Sequence, residues 1–174
     1  PQFVAYFNEA VKNGANRYFD EKEQQNIENG TYTDWIDLLL QNGMQSNHNI
    51  SLSGGNETAR YLLSAGYLSE EGNVPAEKFD RLTLKANIDG KVNNWINAGT
   101  STYVSYSVQD QGSNEALRSA YRLRPTGDAY DENGELLFWP TTSDSQTPNP
   151  LFDPLNVKDE IRLLRVFGNL FVEL

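Results

Sequence analysis

Phe79-Asp80-Arg81-Leu82-Thr83-Leu84-Lys85-Ala86-Asn87-Ile88-Asp89-Gly90-Lys91-Val92 is the stretch whose reading decides the fold class. Leu82, Leu84, Ala86 and Ile88 share one parity, and Arg81, Thr83, Lys85, Asn87 and Asp89 share the other. Successive side chains of a strand point to opposite faces, so this pattern predicts a strand with one apolar and one wet face, the mark of an antiparallel sheet. Toward the C-terminus, Gly90 to Asn94 reads as a turn, and 96–108 alternates again, with Ile96, Ala98, Thr100, Thr102, Val104 and Tyr106 opposing Asn97, Gly99, Ser101, Tyr103, Ser105 and Ser107. Toward the N-terminus, 58–68 places Tyr61, Leu63, Ala65 and Tyr67 on one face, 70–75 reads as a loop, and 48–53 alternates ahead of the turn at Gly54-Gly55-Asn56-Glu57. Alternation returns from Leu163 to the end, with Leu164, Val166, Leu170 and Val172 opposite Arg165, Asn169 and Glu173. Short turns favour pairing between sequence neighbours, so the predicted core is an antiparallel meander.

Outside these strands the period changes. Phe3, Val4, Phe7, Ala10 and Val11 recur at helical spacing before Asn13-Gly14, Asp20 and Glu23 have the spacing of a capping box, and Asn29-Gly30 ends that second helix. Thr33 reads as the N-cap of a third helix over Asp34 to Leu40. The chain is therefore divided into short helices over 1–47, antiparallel wall strands over 48–108, a long irregular loop over 109–160 and a further strand over 161–174. The loop holds five of the seven prolines, with helix-forming residues only near Asn114 to Leu123. Strands longer than the globular mode, joined by turns that run short, long, short and very long, fit a transmembrane β-barrel wall. Both ends read as cut from a longer polypeptide, since Pro1 opens without an initiator and Phe171-Val172-Glu173-Leu174 stops within a strand.

Composition narrows the chemistry. The 174 residues carry 24 acidic and 14 basic side chains, a formal net charge of −10, no cysteine and a single histidine. No basic stripe is available for nucleic acid. Disulfides, thiolate metal sites and multi-histidine metal centres are excluded. No apolar run is long enough for a membrane helix, which leaves barrel strands untouched as a possibility.

Thr33-Asp34-Trp35, then Asn47 to Glu57 running into Tyr61-Leu62-Leu63-Ser64-Ala65-Gly66-Tyr67-Leu68, resembles the TonB-linked outer-membrane transporters of the SusC/RagA type. The continuation from Glu71-Gly72 through Phe79 to Asp89 is similar to the next hairpin of those barrels, and Asn149-Pro150-Leu151 and Arg165 to Leu170 match later segments. The resemblance implies a fragment of the barrel, without plug or TonB box. Its full-length parent would sit in the outer membrane of a Gram-negative bacterium, importing oligosaccharides or peptides beside a SusD-like lipoprotein and driven by TonB. It also implies periplasmic turns near Gly54-Gly55 and Val92-Asn93-Asn94, and no enzyme activity or cofactor.

Each candidate site has a plainer reading beside it. His48 lies at a strand start, out of range of other ligating residues, and reads as a polar cross-strand partner. Asp128, Asp131, Asn133 and Gly134 suggest a calcium loop, yet counting back from Gly134 puts Ala129 and Pro140 where carboxylates are required, so the stretch reads as a turn. Glu70-Glu71 and Asp159-Glu160 have the composition of an acid–base pair but read as solvated faces. Tyr130, Phe138 and Trp139 in the long loop are the candidate substrate-binding residues, able to stack on sugar rings or meet a partner protein, or simply to anchor the loop. Two rival functions stand beside transport: a secreted soluble β-sandwich (a carbohydrate-binding or adhesin module) and an enzyme working with carboxylates alone. An isolated wall segment, with open edges and an uncovered apolar face, is expected to self-associate.

Overall fold

Hairpin turns are where the sheet begins, and two of them use the same device. Asn56 Oδ1 accepts hydrogen bonds from Thr58 N–H and Ala59 N–H, both at 2.9 Å, and Asn93 Oδ1 accepts from Trp95 N–H and Ile96 N–H, also at 2.9 Å. A side-chain carbonyl that mimics the backbone of a turn reverses the chain locally and sets the register of the strands on either side. The third tight connection passes through Ala76, whose φ of +70° is the one left-handed non-glycine conformation among the described residues.

In the computed structural model, which describes residues 1–144 and 146–174, the chain falls into two compact units: Pro1–Gln41 with Gly112–Val157, and Asn42–Gln111 with Lys158–Leu174. The second unit is a five-stranded sheet of β1 (Met44–Gly55), β2 (Ala59–Glu71), β3 (Glu77–Lys91), β4 (Asn97–Gln111) and β5 (Glu160–Glu173). Strand order follows chain order and every neighbouring pair is antiparallel. The meander expected from the alternation is thus the fold.

Each strand runs further than its apolar alternation. β1 starts at Met44 rather than 48, β3 at Glu77 rather than 79, and β4 continues to Gln111 rather than 108. The extensions are polar, such as Gln45, Asn47, Gln109 and Gln111. A ladder needs backbone groups and not apolar side chains, so pairing continues past the end of the apolar rows.

The other unit holds α1 (Gln2–Lys12), α2 (Glu21–Asn29), α3 (Trp35–Leu39), α4 (Asn114–Arg122) and α5 (Asp153–Asn156). The capping box at α2 forms as its spacing predicts: Glu23 N–H donates to Asp20 Oδ1 at 2.8 Å and Asp20 N–H to Glu23 Oε2 at 3.0 Å. Gly30, at φ +68°, closes the helix in the left-handed region that glycine adopts without a Cβ clash. The expected cap of α3 moves by one residue. Asp34, not Thr33, accepts from Ile36 N–H and Asp37 N–H, because the Thr33 hydroxyl is taken by the Gly127 carbonyl at 2.6 Å.

The core of this unit joins Trp35 and Leu39 of α3 to Ala116 and Ala120 of α4 and to Ala129, with Ile36, Leu117, Leu123 and Leu151 around them. Alanines on the facing side of α4 let the two helices approach closely around the indole. The stretch that reads as a long irregular loop is irregular in secondary structure but packed: Thr126 and Asn149 are fully buried, and α4 spans nine residues. Ser145, inside that stretch, lies outside the described residues.

Candidate functional site

Register turns the alternation of single strands into rows across the sheet. On one face lie the rows His48–Tyr67–Leu82–Tyr106–Leu164, Ile50–Ala65–Leu84–Val104–Val166, Leu52–Leu63–Ala86–Thr102–Gly168 and Gly54–Tyr61–Ile88–Thr100–Leu170, followed by Ala59–Gly90–Ala98–Val172. This belt is mainly apolar and, among the described residues, exposed: Ile50 is 72% and Leu170 77% exposed. From the Tyr67 row to the Ala59 row it runs about 27 Å along the strands at ~3.4 Å per residue, or about 20 Å in height for strands tilted by ~40°. Tyrosines mark both margins, Tyr67 and Tyr106 at one and Tyr61 at the other. Beyond the first margin the same face becomes charged, with Asp80 and Arg162 in one row and Glu71, Lys78, Asp110 and Glu160 in the next. The Tyr67 hydroxyl donates to Asp80 Oδ1 at 2.8 Å, tying an amphipathic ring to the edge of the belt.

The opposite face is polar over β1, with Gln45, Asn47, Asn49, Ser51 and Ser53, and mixed over β4 and β5, where Tyr103 and Phe167 lie with ring centroids 6.3 Å apart. One sheet, five strands wide, thus has an apolar surface on one side and a more polar one on the other.

The helical unit is organised by a buried ion pair. Arg124 and Glu23 are 8% and 1% exposed and meet at 3.5 Å, Nη1 to Oε2. Arg124 Nη1 also donates to the Tyr18 carbonyl at 3.1 Å and to Ser143 Oγ at 2.9 Å, while its guanidinium lies 5.0 Å above the Phe7 ring, itself stacked on Phe19. Glu23 accepts from the Thr126 hydroxyl at 2.7 Å and from the Ser143 hydroxyl. Next to this pair, burial pushes the Asp20 carboxyl up, but hydrogen bonds from the Glu23 and Thr142 N–H groups and the Thr142 hydroxyl together outweigh it and hold the carboxyl below its ordinary value. Asn26 closes the network on the Thr126 carbonyl at 3.0 Å and on Asp128 Oδ1 at 2.9 Å. The capping-box spacing exposes Glu23 in the sequence only as a helix cap, and its partners lie about a hundred positions away, where no periodicity points to them.

Tyr130, Phe138 and Trp139 sit on one hairpin-like segment of this unit. Tyr130 bridges to Leu136, and all three rings are partly exposed. Phe138 and Trp139 meet edge-on at 4.7 Å, and Phe138 also packs edge-on against Phe152 at 5.4 Å; Tyr130 has no ring contact among the described residues. The segment is pinned from below by buried Asn149, whose Nδ2 donates to the Ala129 and Leu137 carbonyls at 2.9 Å. At its tip Asp131 Oδ1 accepts from Asn133 N–H and Glu135 N–H at 2.8 Å; the Glu135 N–H above all holds that carboxyl low, against the opposing effect of burial and with Asn133 and Gly134 in support. Asp128 points elsewhere, to Asn26 and Lys22, so the acidic residues of 128–134 do not converge. His48 bonds Ser46 of its own strand at 2.8 Å and not a residue across the ladder; its cross-strand neighbour is Tyr67.

No protein-family model matches the chain. Individual relatives do. TonB-dependent receptor P39 of Formosa agariphila is 37% identical over 79 residues, 45% of this chain and 8% of that protein. TonB-dependent receptor P26 of the same organism is 27% identical over 130 residues, 74% of this chain and 13% of that protein. TonB-dependent receptor SusC of Bacteroides thetaiotaomicron is 32% identical over 56 residues, 32% of this chain and 6% of that protein. Among solved structures, the RagAB peptide importer in its closed-closed state superposes with a TM-score of 0.59 at 20% identity, over 79% of this chain and 16% of the importer chain. The chain is similar to TonB-dependent receptors, SusC among them, and shares the fold of part of the RagAB importer. It spans between 6 and 13% of the length of the curated receptors it matches. TonB-dependent receptors are transport proteins rather than enzymes, and the chain with its five-stranded meander is similar in fold to part of the RagAB importer.

Proposed function

We propose that this chain is part of the wall of an outer-membrane importer of a Gram-negative bacterium, taking up oligosaccharides or peptides with TonB and a SusD-like lipoprotein as partners. The observation that carries the reading is the two-faced sheet: an exposed apolar belt with tyrosines near its margins, backed by a more polar face. That is what a wall needs between lipid and an aqueous lumen. The sandwich alternative needs a second sheet over the belt, and the described residues form a single sheet. The relatives' names support TonB dependence, and the RagAB fold likeness supports a peptide or a similarly extended ligand.

Connectivity orients the wall. The start of β1, the β2–β3 turn and the 112–159 connection all join the sheet at the end of the Glu71 row, while the Asn56 and Asn93 turns lie at the other. Long connections face the outside in such barrels and tight turns the periplasm, so the 112–159 connection leaves the sheet on the extracellular side in this reading. Tyr130, Phe138 and Trp139 then form a surface for the ligand or the lipoprotein lid.

Topology tests the proposal in the full-length parent. An epitope inserted between Glu132 and Asn133 should be labelled on intact cells, whereas one between Asn93 and Asn94 should be labelled only after permeabilisation. The reverse pattern, or labelling of both on intact cells, would reject the wall assignment.

A further inference from the structure

The hydrated face of the sheet holds a feature that barrel architecture does not require. Its four middle rows are Asn47–Leu68–Arg81–Ser107–Leu163, Asn49–Gly66–Thr83–Ser105–Arg165, Ser51–Ser64–Lys85–Tyr103–Phe167 and Ser53–Leu62–Asn87–Ser101–Asn169. These rows contain Arg81, Lys85 and Arg165 and no carboxylate, in a chain whose formal net charge is −10. All three cations are exposed, and among the described residues none forms an ion pair. Their backbones form a triangle with sides of about 12–14 Å, from ~4.8 Å between strands and ~3.4 Å per residue. Along it lie neutral groups, Thr83, Ser105, Ser107 and the Tyr103–Phe167 ring pair, while Arg81 lies over the Phe79 ring at 5.9 Å and the flanking rows carry Glu70 on one side and Arg60 with Asp89 on the other.

Taking the wall assignment as its basis, we infer that this triangle is a binding track for an anionic chain ligand, one whose carboxylate or sulfate groups pass Arg81, Lys85 and Arg165. Charge complementarity carries the argument. Three cations in rows that hold no carboxylate, set in a low-dielectric wall around a lumen, raise the local concentration of anions and repel cations. A neutral glycan or neutral peptide gains nothing from them. The spacing is wider than one anionic group spans, so it suits a polymer with charges at intervals rather than a single small ion. The Tyr103–Phe167 pair, in the same row as Lys85, offers partly exposed ring surface on which the apolar faces of sugar rings or side chains rest while the charges engage. Arg165, with its planar fork of donors, fits a carboxylate or sulfate two-pronged.

The experiment uses the purified full-length parent receptor and three probes: hexagalacturonate, hexa-aspartate and neutral maltohexaose. The wild type should bind at least one anionic probe more tightly than maltohexaose, with an affinity that falls as salt rises. K85Q combined with R165Q should weaken that binding at least tenfold while leaving maltohexaose unchanged, and K85R combined with R165K should restore it. Which anionic probe is preferred names the source, an acidic glycan or an acidic peptide. Equal or tighter binding of maltohexaose overturns the inference, as does an unchanged anionic affinity in the double variant. Loss of heat-modifiable migration of the barrel in K85Q/R165Q also overturns it, because the cations would then serve the receptor's own carboxylates. Failure of the wall assignment itself would show separately, as surface labelling at 93–94.

Discussion

Arg124 ties several segments of the helical unit together. It meets Glu23, Ser143 and the Tyr18 carbonyl through one guanidinium and covers Phe7 with its face. Removing one member of a buried pair leaves the other charge desolvated, at a cost of about 3–5 kcal/mol. Arg124→Met should therefore loosen 18–27 and 124–129 together, read as faster hydrogen exchange in both stretches, while the double change with Glu23→Leu should recover part of the loss. Unchanged exchange in Arg124→Met would deny the pair its role. Asp20 sets the pH response of the same unit. Its folded carboxyl lies below the ordinary value of 3.8, so the unfolded chain binds the proton more readily. The stabilisation is fully present above that value and is lost as pH falls below it through the folded pKa. Asp20→Asn should flatten the acid limb of the unfolding curve; a curve that keeps its slope would place the titration elsewhere. At this scale the sequence shows Asp20 and Glu23 as a cap, but the pairing of Glu23 with Arg124 depends on where the chain returns about a hundred residues later.

For single elements, side-chain parity does most of the work. Leu84 stands in the centre of the apolar belt on β3, and Ser64 of β2 stands on the hydrated face beside Lys85. A lysine at the bilayer midplane of a barrel costs about 2–4 kcal/mol, whereas a lumen position tolerates it. In the full-length parent, Leu84→Lys should therefore reduce assembled, heat-modifiable barrel strongly, and Ser64→Lys should not. Equal effects would mean that the two faces do not meet different solvents. The strands were legible because β3 and β4 alternate through their middles, and β1, β2 and β5 repeat that parity on their apolar face. Their ends were not, since Gln45, Asn47, Gln109 and Gln111 carry no hydrophobic signal and are paired by the ladder alone. Helix α4 was legible only as a possible turn or two, because its facing residues are alanines and a serine, small enough to pack on α3 and too weakly apolar to reveal a periodicity.

On the scale of the whole chain, β1 and β5 are edges, each paired on one side only. Unpaired strand backbones invite addition of another strand, and each exposed Leu or Ile forgoes about 1.5–3 kcal/mol of burial. The isolated chain is therefore expected to form dimers or larger assemblies at low micromolar concentration, measured by light scattering. A monomeric mass without detergent, together with full β-signal in circular dichroism, would show that the belt finds cover within one chain. In the parent, Phe138→Ala with Trp139→Ala should reduce engagement of ligand or lid without reducing barrel assembly, since both rings are partly exposed and the segment beneath them is pinned by Asn149. A loss of assembly would make the rings structural anchors.

By itself the sequence determined the sheet: its strands, their neighbours and the sidedness of each. Parity is a local property of extended backbone, and the Asn56 and Asn93 turns carry that parity from one strand to the next without help from distant residues. Only the tertiary structure decided that 1–41 and 112–157 are one body rather than a helical leader and a loop. Their union rests on polar contacts such as Thr126 to Glu23, Asn26 to the Thr126 carbonyl and Thr33 to the Gly127 carbonyl, spanning 103, 100 and 94 positions. A hydrogen bond between groups so far apart in the chain depends on three-dimensional direction and distance, and residue type at either end carries no trace of its partner.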